Sequence, residues 1–256
     1  MTCHVQVLKV GEVEVPAPEV YWMSHWQEWE TLFFYMVVIR CGDVTAIVNT
    51  GPPADLAELN RAWRAFAGER CQMKRTEDER PERALAGLGI KPDQVNYVLL
   101  IPLQAYTTSN IPLFRNATIC FSRRGCVEDI MARPSYVHVP RELCIPDPVL
   151  RYLLFEARDR VRLLEDEDEI EPGLRVWWAG THHHSSMVYA IDTKAGTVMV
   201  GDCAFKYGTL EGHPLGIAES LAEGDRAYRR IRSQAAHFIP LYDPEVLRRY
   251  PNGEIA

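Results

Sequence analysis

Apolar positions follow two alternating periods along the chain. Segments with a period of two, or with a short apolar run, predict β-strands at 5–10, 32–40 and 44–48. The next segment, 54–71, spaces its large apolar residues at helical intervals, at Leu56, Leu59, Trp63 and Phe66. A helix is therefore expected after the first strands, so the α/β alternation begins early in the chain.

The alternation continues to the C-terminus. Further strands are predicted at 94–101, 117–124, 174–180, 186–192, 197–202 and 237–241, and helices at 81–90, 125–132, 149–164 and 222–235. The acidic segment 165–173 is predicted to be a solvated turn, and the proline-rich segment 134–148 a lid or pocket wall. No repeat or low-complexity linker divides the chain, so we interpret 1–256 as one domain.

Two successive runs of strands and helices predict the fold class. The expected α/β architecture has two sheets packed face to face with helices outside, an αββα sandwich. Such a sandwich brings together the loops at one edge of both sheets. These loops are "NTGPP", "PLQAYTTSN", "GTHHHSS", "GDCAF" and "LYDPE".

Charge and composition narrow the class of partner. The formal charge is -7 with Lys and Arg scattered, which gives no electrostatic footprint for nucleic acid or an anionic membrane. The N-terminal residues lack the pattern of a secretory signal, and the longest apolar run, 32–39, is too short to span a bilayer. We expect a cytoplasmic protein that binds a small molecule, and the sequence is compatible with a homodimer.

Cysteine spacing gives no sign of a cross-linked or zinc-binding scaffold. The chain has seven cysteines, an odd number, and no C-x-x-C pair. We therefore expect neither a disulfide framework nor a cysteine zinc site, and interpret most of these residues as buried thiols.

The order of several motifs resembles a known superfamily. The motifs are "AIVNTG", "GLGIKPDQVNYVLL", "LFRNATICFSRRG", "AGTHHHSSMVYAID", "VGDCAF" and "FIPLYDPE". Over residues 30–250 their order and approximate spacing are similar to those of the metallo-β-lactamase superfamily, most of all its N-acyl homoserine lactonase branch. The resemblance implies an αββα sandwich holding two metal ions, usually zinc, whose bridging hydroxide opens a lactone or cleaves an amide or ester.

Carried over by position, the resemblance implies an altered metal site. The superfamily's H-x-H-x-D-H loop falls on "PLQAYT", so Pro102, Gln104, Tyr106 and Thr107 stand at four ligand places. Zinc in proteins is bound by Cys, His, Asp and Glu, and none of these four residues is of that kind. The usual aspartate of "DTG" is Asn49 here.

Two ligand places keep their residue type. His182 of "GTHHHSSM" stands at the next histidine, with Thr181 as the alternative one residue out of register, and Asp202 stands at the bridging aspartate. The last histidine is Tyr242, and the tyrosine that follows the bridging aspartate is Phe205. Two of seven ligand places are too few for a two-metal site.

The histidine run offers a different metal site as a minor interpretation. In an extended segment neighbouring side chains point to opposite faces, so His182 and His184 would converge. With Asp202 they would give three donors for one metal ion. We favour no metal and no other cofactor, with His183 and His184 as a polar pair bonded to backbone.

The remaining polar residues suggest acid–base catalysis without a metal. An imidazole oriented by a carboxylate, His182 with Asp202, is a competent general base near neutral pH. Tyr106, Gln104 and Tyr242 are neutral groups that can donate hydrogen bonds to an oxyanion. The alternative is a buried polar network in which these groups satisfy one another.

An aromatic N-terminal segment is the main candidate for substrate contacts. "YWMSHWQEW" places Trp22, Met23, Trp26 and Trp29 where the resembling lactonases have a segment near the substrate entrance. The alternatives are ordinary core packing or a dimer contact. From the carried-over loops, Thr107 and His184 are further candidate substrate-binding residues.

Three functions are consistent with these patterns. The first is a metal-independent, hydrolase-like enzyme that uses His182 and Asp202 on a small carbonyl, lactone or ester substrate. The second is a non-catalytic, small-molecule-binding pseudoenzyme with the same pocket. The third is a mononuclear metallohydrolase.

Overall fold

The computed structural model describes residues 2–131 and 140–255. The strands in these ranges are β1 Cys3–Pro16, β2 Trp29–Cys41, β3 Val44–Val48, β4 Tyr97–Leu99, β5 Thr118–Ser122, β6 Val161–Leu164, β7 Glu167–Glu171, β8 Leu174–Trp178, β9 Met187–Thr193, β10 Gly196–Gly201 and β11 His237–Pro240. The helices are α1 Ala17–Val20, α2 Ala57–Ala67, α3 Pro81–Gly87, α4 Ala105–Thr108, α5 Arg123–Gly125, α6 Asp147–Arg151, α7 Tyr207–Glu211, α8 Leu221–Gln234 and α9 Glu245–Arg249.

The strands form two sheets. The first has six strands in the order β1-β2-β3-β4-β5-β6, antiparallel from β1 to β3 and parallel from β3 to β6. The second has five strands in the order β11-β10-β9-β8-β7, antiparallel except for the parallel pair of β10 and β11. Parallel pairs need crossover connections, which explains the strand and helix alternation in the sequence.

Side chains of the second sheet divide between two apolar clusters. Along β9, Tyr189 and Ile191 belong to the main core, which also contains strands of the first sheet. The intervening residues, Val188 and Ala190, pack in a second cluster that includes Ile231 of α8. Because successive strand residues point to opposite faces, the second sheet has the first sheet on one side and α8 on the other. The predicted α/β sandwich is confirmed.

Two predicted elements around residue 165 are wrong. The segment 149–164 is not one helix, because its last four residues form β6 and pair in parallel with β5. The acidic segment forms the edge strand β7, which pairs with β8 and carries Glu167 and Asp168. Their carboxylates contact Arg230 and Arg162, so the charges lie along a solvated edge. In both segments, strand pairing with another part of the chain determined the secondary structure, and the local hydrophobic pattern did not.

The cysteine prediction also needs a correction. Cys3 and Cys41 form a disulfide, and the two residues are opposite each other in the register of β1 and β2. An odd count and the absence of C-x-x-C do not exclude one bond between residues 38 positions apart. The fold created this pair by placing the two strand ends together.

The structure describes only part of the proposed lid. The first part of the proposed lid, 134–139, lies outside the described residues. The second part, 140–148, includes Leu143, a buried residue that lines the main cavity.

Among the described residues, no helix has both the length and the apolar character needed to cross a membrane.

Candidate active site

The five predicted loops meet at one edge of the sandwich. The backbone N–H of Thr50 donates to the carbonyl of Thr107 at 2.7 Å, and the N–H of Leu103 donates to the Ser185 hydroxyl at 3.1 Å. The loops after β10 and β11 join through Phe205 and Tyr242, whose ring centres lie 4.5 Å apart. The first two contacts join three of the loops and the third joins the other two, and the contact between His182 and Asp202 links these two groups.

His182 and Asp202 form a buried pair where two of these loops meet. The loop before β9 carries His182, and Asp202 directly follows β10, the antiparallel neighbour of β9. His182 Nδ1 lies 3.1 Å from Asp202 Oδ2, which also accepts a hydrogen bond from the Ser186 hydroxyl at 2.8 Å. Because a carboxylate only accepts, Nδ1 carries the proton and the lone pair is on Nε2.

The backbone before His182 is held in an unusual conformation. Thr181 has a φ of 74°, in the left-handed region that β-branched residues rarely adopt. Its carbonyl accepts from the N–H of Glu219 at 2.6 Å, and its own N–H donates to the Glu223 carboxylate at 3.3 Å. These bonds hold a turn that places His182, and not Thr181, at the wall of the main cavity.

Burial weakens His182 as a base. Desolvation and the neighbouring His183 lower the pKa of His182 to about 4, although the hydrogen bond to Asp202 opposes this shift. The imidazole is therefore neutral across the physiological range. The sequence-based expectation of a base that titrates near neutral pH is corrected by this burial.

Two buried oxygen atoms at this site lack hydrogen-bond partners among the described residues. They are Asp202 Oδ1 and the Tyr242 hydroxyl. Burial, with the charge of Asp202 nearby, raises the pKa of Tyr106, and burial with Tyr106 nearby raises that of Tyr242, so both phenols are neutral donors. Unpaired buried polar atoms are costly, and a ligand that bonded to them would relieve that cost.

A cavity of about 100 Å³ lies beside His182. Its aromatic lining is Phe34, Trp63, Phe66, Tyr106, Phe205 and Tyr242, and its other polar lining residues are Glu19, Gln104, His182 and His183. The volume is below the 300 to 1,000 Å³ or so of typical drug-sized ligand sites. The cavity therefore fits a small molecule or the reacting end of a larger one.

Two polar residues of this lining were not predicted from the sequence. Glu19, at the end of the short helix α1, lines the cavity, and burial raises the pKa of its carboxyl group to about 7. His183 lines it as well, with its ring centre 4.0 Å from that of His182. The only sequence signal for Glu19 was a single carboxylate in the otherwise uncharged stretch "VPAPEVYW".

The prediction that His184 shares the cavity is wrong. The histidine run follows a turn, so His183 and not His184 joins His182 at the wall. His184 Nδ1 instead lies 3.1 Å from Asp129 and 2.9 Å from Glu219, and His183 Nδ1 lies 3.5 Å from Glu219. Burial lowers the pKa of His183, but the nearby carboxylates outweigh it and the net shift is upward. Both histidines have carboxylate partners and not the predicted backbone partners.

The predicted aromatic substrate site is also wrong for the main cavity, whose lining contains none of its four residues. Trp22, Met23 and Trp26 are 49%, 60% and 65% exposed. The ring of Trp29 packs under the guanidinium of Arg70, 4.5 Å from the ring centre. The segment is far from the five cavity loops in sequence, and its residues give no sign that it turns away from the cavity.

Some residues of the loop after β4 line the cavity, and others make hydrogen bonds that hold the loop. Gln104 and Tyr106 line the cavity. Thr107 does not line it, because its hydroxyl lies within hydrogen-bond distance of the carbonyls of Pro102 and Gln104. Asn49 has a structural contact too, since its side-chain oxygen accepts from the N–H of Ile101 at 2.9 Å.

The donor set at the cavity does not fit two zinc ions. Asp202 Oδ1 is an unpaired donor atom, and His182, His183 and Glu19 are also of residue types that bind zinc, but no three of these four residues have ligand atoms close enough together to hold one metal ion. Within 2–131 and 140–255, the one group of three His, Cys, Asp or Glu residues close enough to hold a metal is Asp129, His184 and Glu219. The predicted mononuclear set of His182, His184 and Asp202 does not come together.

Comparisons with known proteins identify the fold. An N-acyl homoserine lactone hydrolase with the product N-hexanoyl-L-homoserine bound at its catalytic metal centre has a TM-score of 0.79 and 16% identity, over 100% of both chains. A mutant of AiiA from B. thuringiensis with N-decanoyl-L-homoserine bound at the active site has a TM-score of 0.78 and 16% identity, also over 100% of both chains.

A probable metal-dependent hydrolase from Staphylococcus aureus has a TM-score of 0.74 and 14% identity, over 94% of this chain and 89% of that chain. No family model and no curated protein matches the sequence. The chain therefore has the metallo-β-lactamase-like fold, as its motifs predicted, and the fold is shared with lactonases and hydrolases.

Proposed function

We propose that the protein is a hydrolase-like enzyme that acts on a small carbonyl compound, such as a lactone or an activated ester, without a metal ion. The observation that carries this proposal is the 3.1 Å contact between His182 Nδ1 and Asp202 at the wall of the cavity. It leaves Nε2 as a proton acceptor whose orientation is set by a buried carboxylate.

The proton path follows from this tautomer. As a water oxygen bonds to the substrate carbonyl carbon, Nε2 of His182 accepts the water proton and the carbonyl oxygen becomes negative. Asp202 stabilises the imidazolium that forms. When the bond to the leaving oxygen breaks, that oxygen takes the proton back from Nε2, so the base returns to its neutral form.

Neutral hydrogen-bond donors would stabilise the intermediate. The unpaired Tyr242 hydroxyl, Tyr106 and the Gln104 amide line the same cavity as His182. Each donor that meets a developing oxyanion in a dry site contributes about 3 kcal/mol. The net upward pKa shift of His183 makes its imidazolium a further candidate for this role.

The low basicity of His182 restricts the substrate. With a pKa of about 4, the imidazole has little driving force for taking a proton from water. Strained lactones and activated esters, whose carbonyl carbons are more reactive than those of amides, are therefore the better substrates. Two structural neighbours hold N-acyl-L-homoserine products, which supports a lactone ring as the reacting group.

A substrate panel with two histidine variants tests the proposal. Small lactones and p-nitrophenyl esters would be compared with amides, and His182→Ala with His184→Ala. We expect His182→Ala to lower kcat by about 100-fold or more on any substrate that is turned over. The matched control His184→Ala should change kcat less than about threefold, because His184 does not line the cavity.

The mostly aromatic and aliphatic lining favours a second candidate function, binding without turnover. A folded protein that binds a panel compound but turns none over would establish that function. Near-full turnover in folded His182→Ala would exclude His182 as the base.

A further inference from the structure

One carboxyl group at the cavity wall has no side-chain partner among the described residues. Glu19 lines the cavity, and its side chain makes no hydrogen bond or ion pair with any described residue. Only its backbone is bonded, since the Glu19 carbonyl accepts from the N–H of Ile217 at 2.9 Å. Desolvation alone raises the pKa of this carboxyl group to about 7, so near pH 8 the cavity wall carries a negative charge with which no described residue pairs.

Aromatic rings surround the same space. Phe34 contacts three of the others, with ring centres 5.7 Å from Trp63, 5.1 Å from Tyr106 and 5.3 Å from Tyr242. Trp63 and Tyr106 stack at 5.7 Å with 24° between their planes. Aromatic rings attract cations through their quadrupoles, most strongly where the cation is desolvated.

One histidine of the described cavity lining has a raised pKa and a carboxylate partner. His183, whose pKa is raised, lies beside Glu219. No Lys or Arg of the described ranges lines the cavity. Glu219 offsets the charge of the His183 imidazolium, so a cation in the cavity would meet Glu19 and the aromatic rings.

From this arrangement we infer that the substrate or ligand carries a small cationic group, a primary or quaternary ammonium, which binds between Glu19 and the aromatic residues Phe34, Trp63 and Tyr106. The inference rests on the proposed function, because it gives the substrate class of the same cavity. The substrate is then an amino-functional carbonyl compound, with its ammonium group at Glu19 and its carbonyl group at His182.

A pair of probes of equal size tests the charge preference. Tetramethylammonium and tert-butanol have the same number of non-hydrogen atoms, but only the first is charged. Their dissociation constants would be measured by ligand-observed NMR at pH 8 and low salt. We expect the wild-type protein to bind tetramethylammonium at least about 10-fold more tightly than tert-butanol.

Two variants separate the carboxylate from general charge effects. Glu19→Gln keeps the side-chain shape and should remove the preference for tetramethylammonium while keeping tert-butanol binding, which also reports that the variant is folded. Glu28→Gln removes one negative charge from the same N-terminal region, where the side chain is 64% exposed and does not line the cavity. This control should keep the wild-type preference.

Equal affinity of the wild type for both probes, binding of neither probe, or an unchanged preference in Glu19→Gln would each overturn the inference. Neither probe has a carbonyl group, so these measurements are independent of turnover. A failure of the proposed function would appear separately, as retained turnover in His182→Ala.

Discussion

At the scale of single residues, three consecutive histidines have three different environments. His182 is buried against Asp202 and is neutral, His183 faces both the cavity and Glu219, and His184 contacts two carboxylates outside the cavity. Burial lowers the pKa of His182, whereas carboxylates raise that of His183 against its own burial. His182 and His183 line the cavity, and of these two only His182 has a lowered pKa together with an orienting partner, which makes it the candidate base.

The cavity carboxylate has a consequence for stability. An acid whose pKa is raised by folding binds its proton more tightly in the folded state, so stability falls as pH rises between the unfolded and folded pKa values. For Glu19 that window runs from 4.5 to about 7. Above it, the buried charge costs roughly 3 kcal/mol.

Glu19→Gln should therefore have nearly the wild-type free energy of unfolding at pH 4 and exceed it by about 3 kcal/mol at pH 8. Urea unfolding at several pH values measures this difference, in which the contributions of His182, His183 and the cavity tyrosines cancel. Glu28→Gln is the exposed control, for which we expect no such trend. A difference that does not grow between pH 4 and pH 8 would mean that Glu19 is solvated in the folded protein.

At the scale of elements, the hairpin of β1 and β2 builds one wall of the cavity. Val13 pairs with Leu32 across the two strands, and Val15 and Phe34 lie next to that pair. All four side chains line the cavity. The strand ends of this hairpin are joined by the disulfide between Cys3 and Cys41, so the same element both forms the wall and is cross-linked.

Removing this disulfide should destabilise the protein. The bond closes a sequence separation of 38 residues, and a loop of that length contributes about 2 to 4 kcal/mol through the unfolded state. We expect the double variant Cys3→Ser with Cys41→Ser to unfold at a lower temperature than the oxidised wild type. Addition of a reductant should lower the wild-type Tm and leave that of the double variant unchanged. Equal melting temperatures for the oxidised wild type and the double variant would contradict a stabilising role.

At the scale of the whole molecule, the fold does not determine the chemistry of the cavity. The backbone superposes on lactonases whose product lies at a metal centre or active site, with TM-scores of 0.79 and 0.78. Yet the lining of this cavity is mostly aromatic and aliphatic, with Glu19, Gln104, His182 and His183 among its polar residues. A shared scaffold does not determine a shared mechanism.

Metal analysis of the intact protein tests whether the cavity lacks a two-metal site. Protein purified after expression with added zinc should contain substoichiometric zinc, because no three of the zinc-binding residue types at the cavity, Glu19, His182, His183 and Asp202, come close enough to hold one ion. Two zinc ions per chain would contradict this expectation. One ion per chain that is lost in His184→Ala would instead locate a metal at Asp129, His184 and Glu219.

The hydrophobic pattern by itself determined the fold class. Strands and helices that bury one face leave a periodic signal, and this signal located β1 to β5, α2, β8 to β11 and α8. It failed between 149 and 171, where charged edge strands have weak alternation and pairing partners far away in sequence. Motif order along the chain was enough to indicate the metallo-β-lactamase-like fold.

Only the tertiary structure decided which side chains share the cavity. The motifs located the loops that carry His182, Asp202, Gln104, Tyr106 and Tyr242, because loop position follows from the order of strands. The turn at Thr181 places His183, and not His184, in the cavity wall. The course of the N-terminal segment places Glu19 in the cavity and leaves the exposed tryptophans outside it. These choices depend on backbone dihedral angles and on contacts between distant segments, which leave no periodic pattern in the sequence.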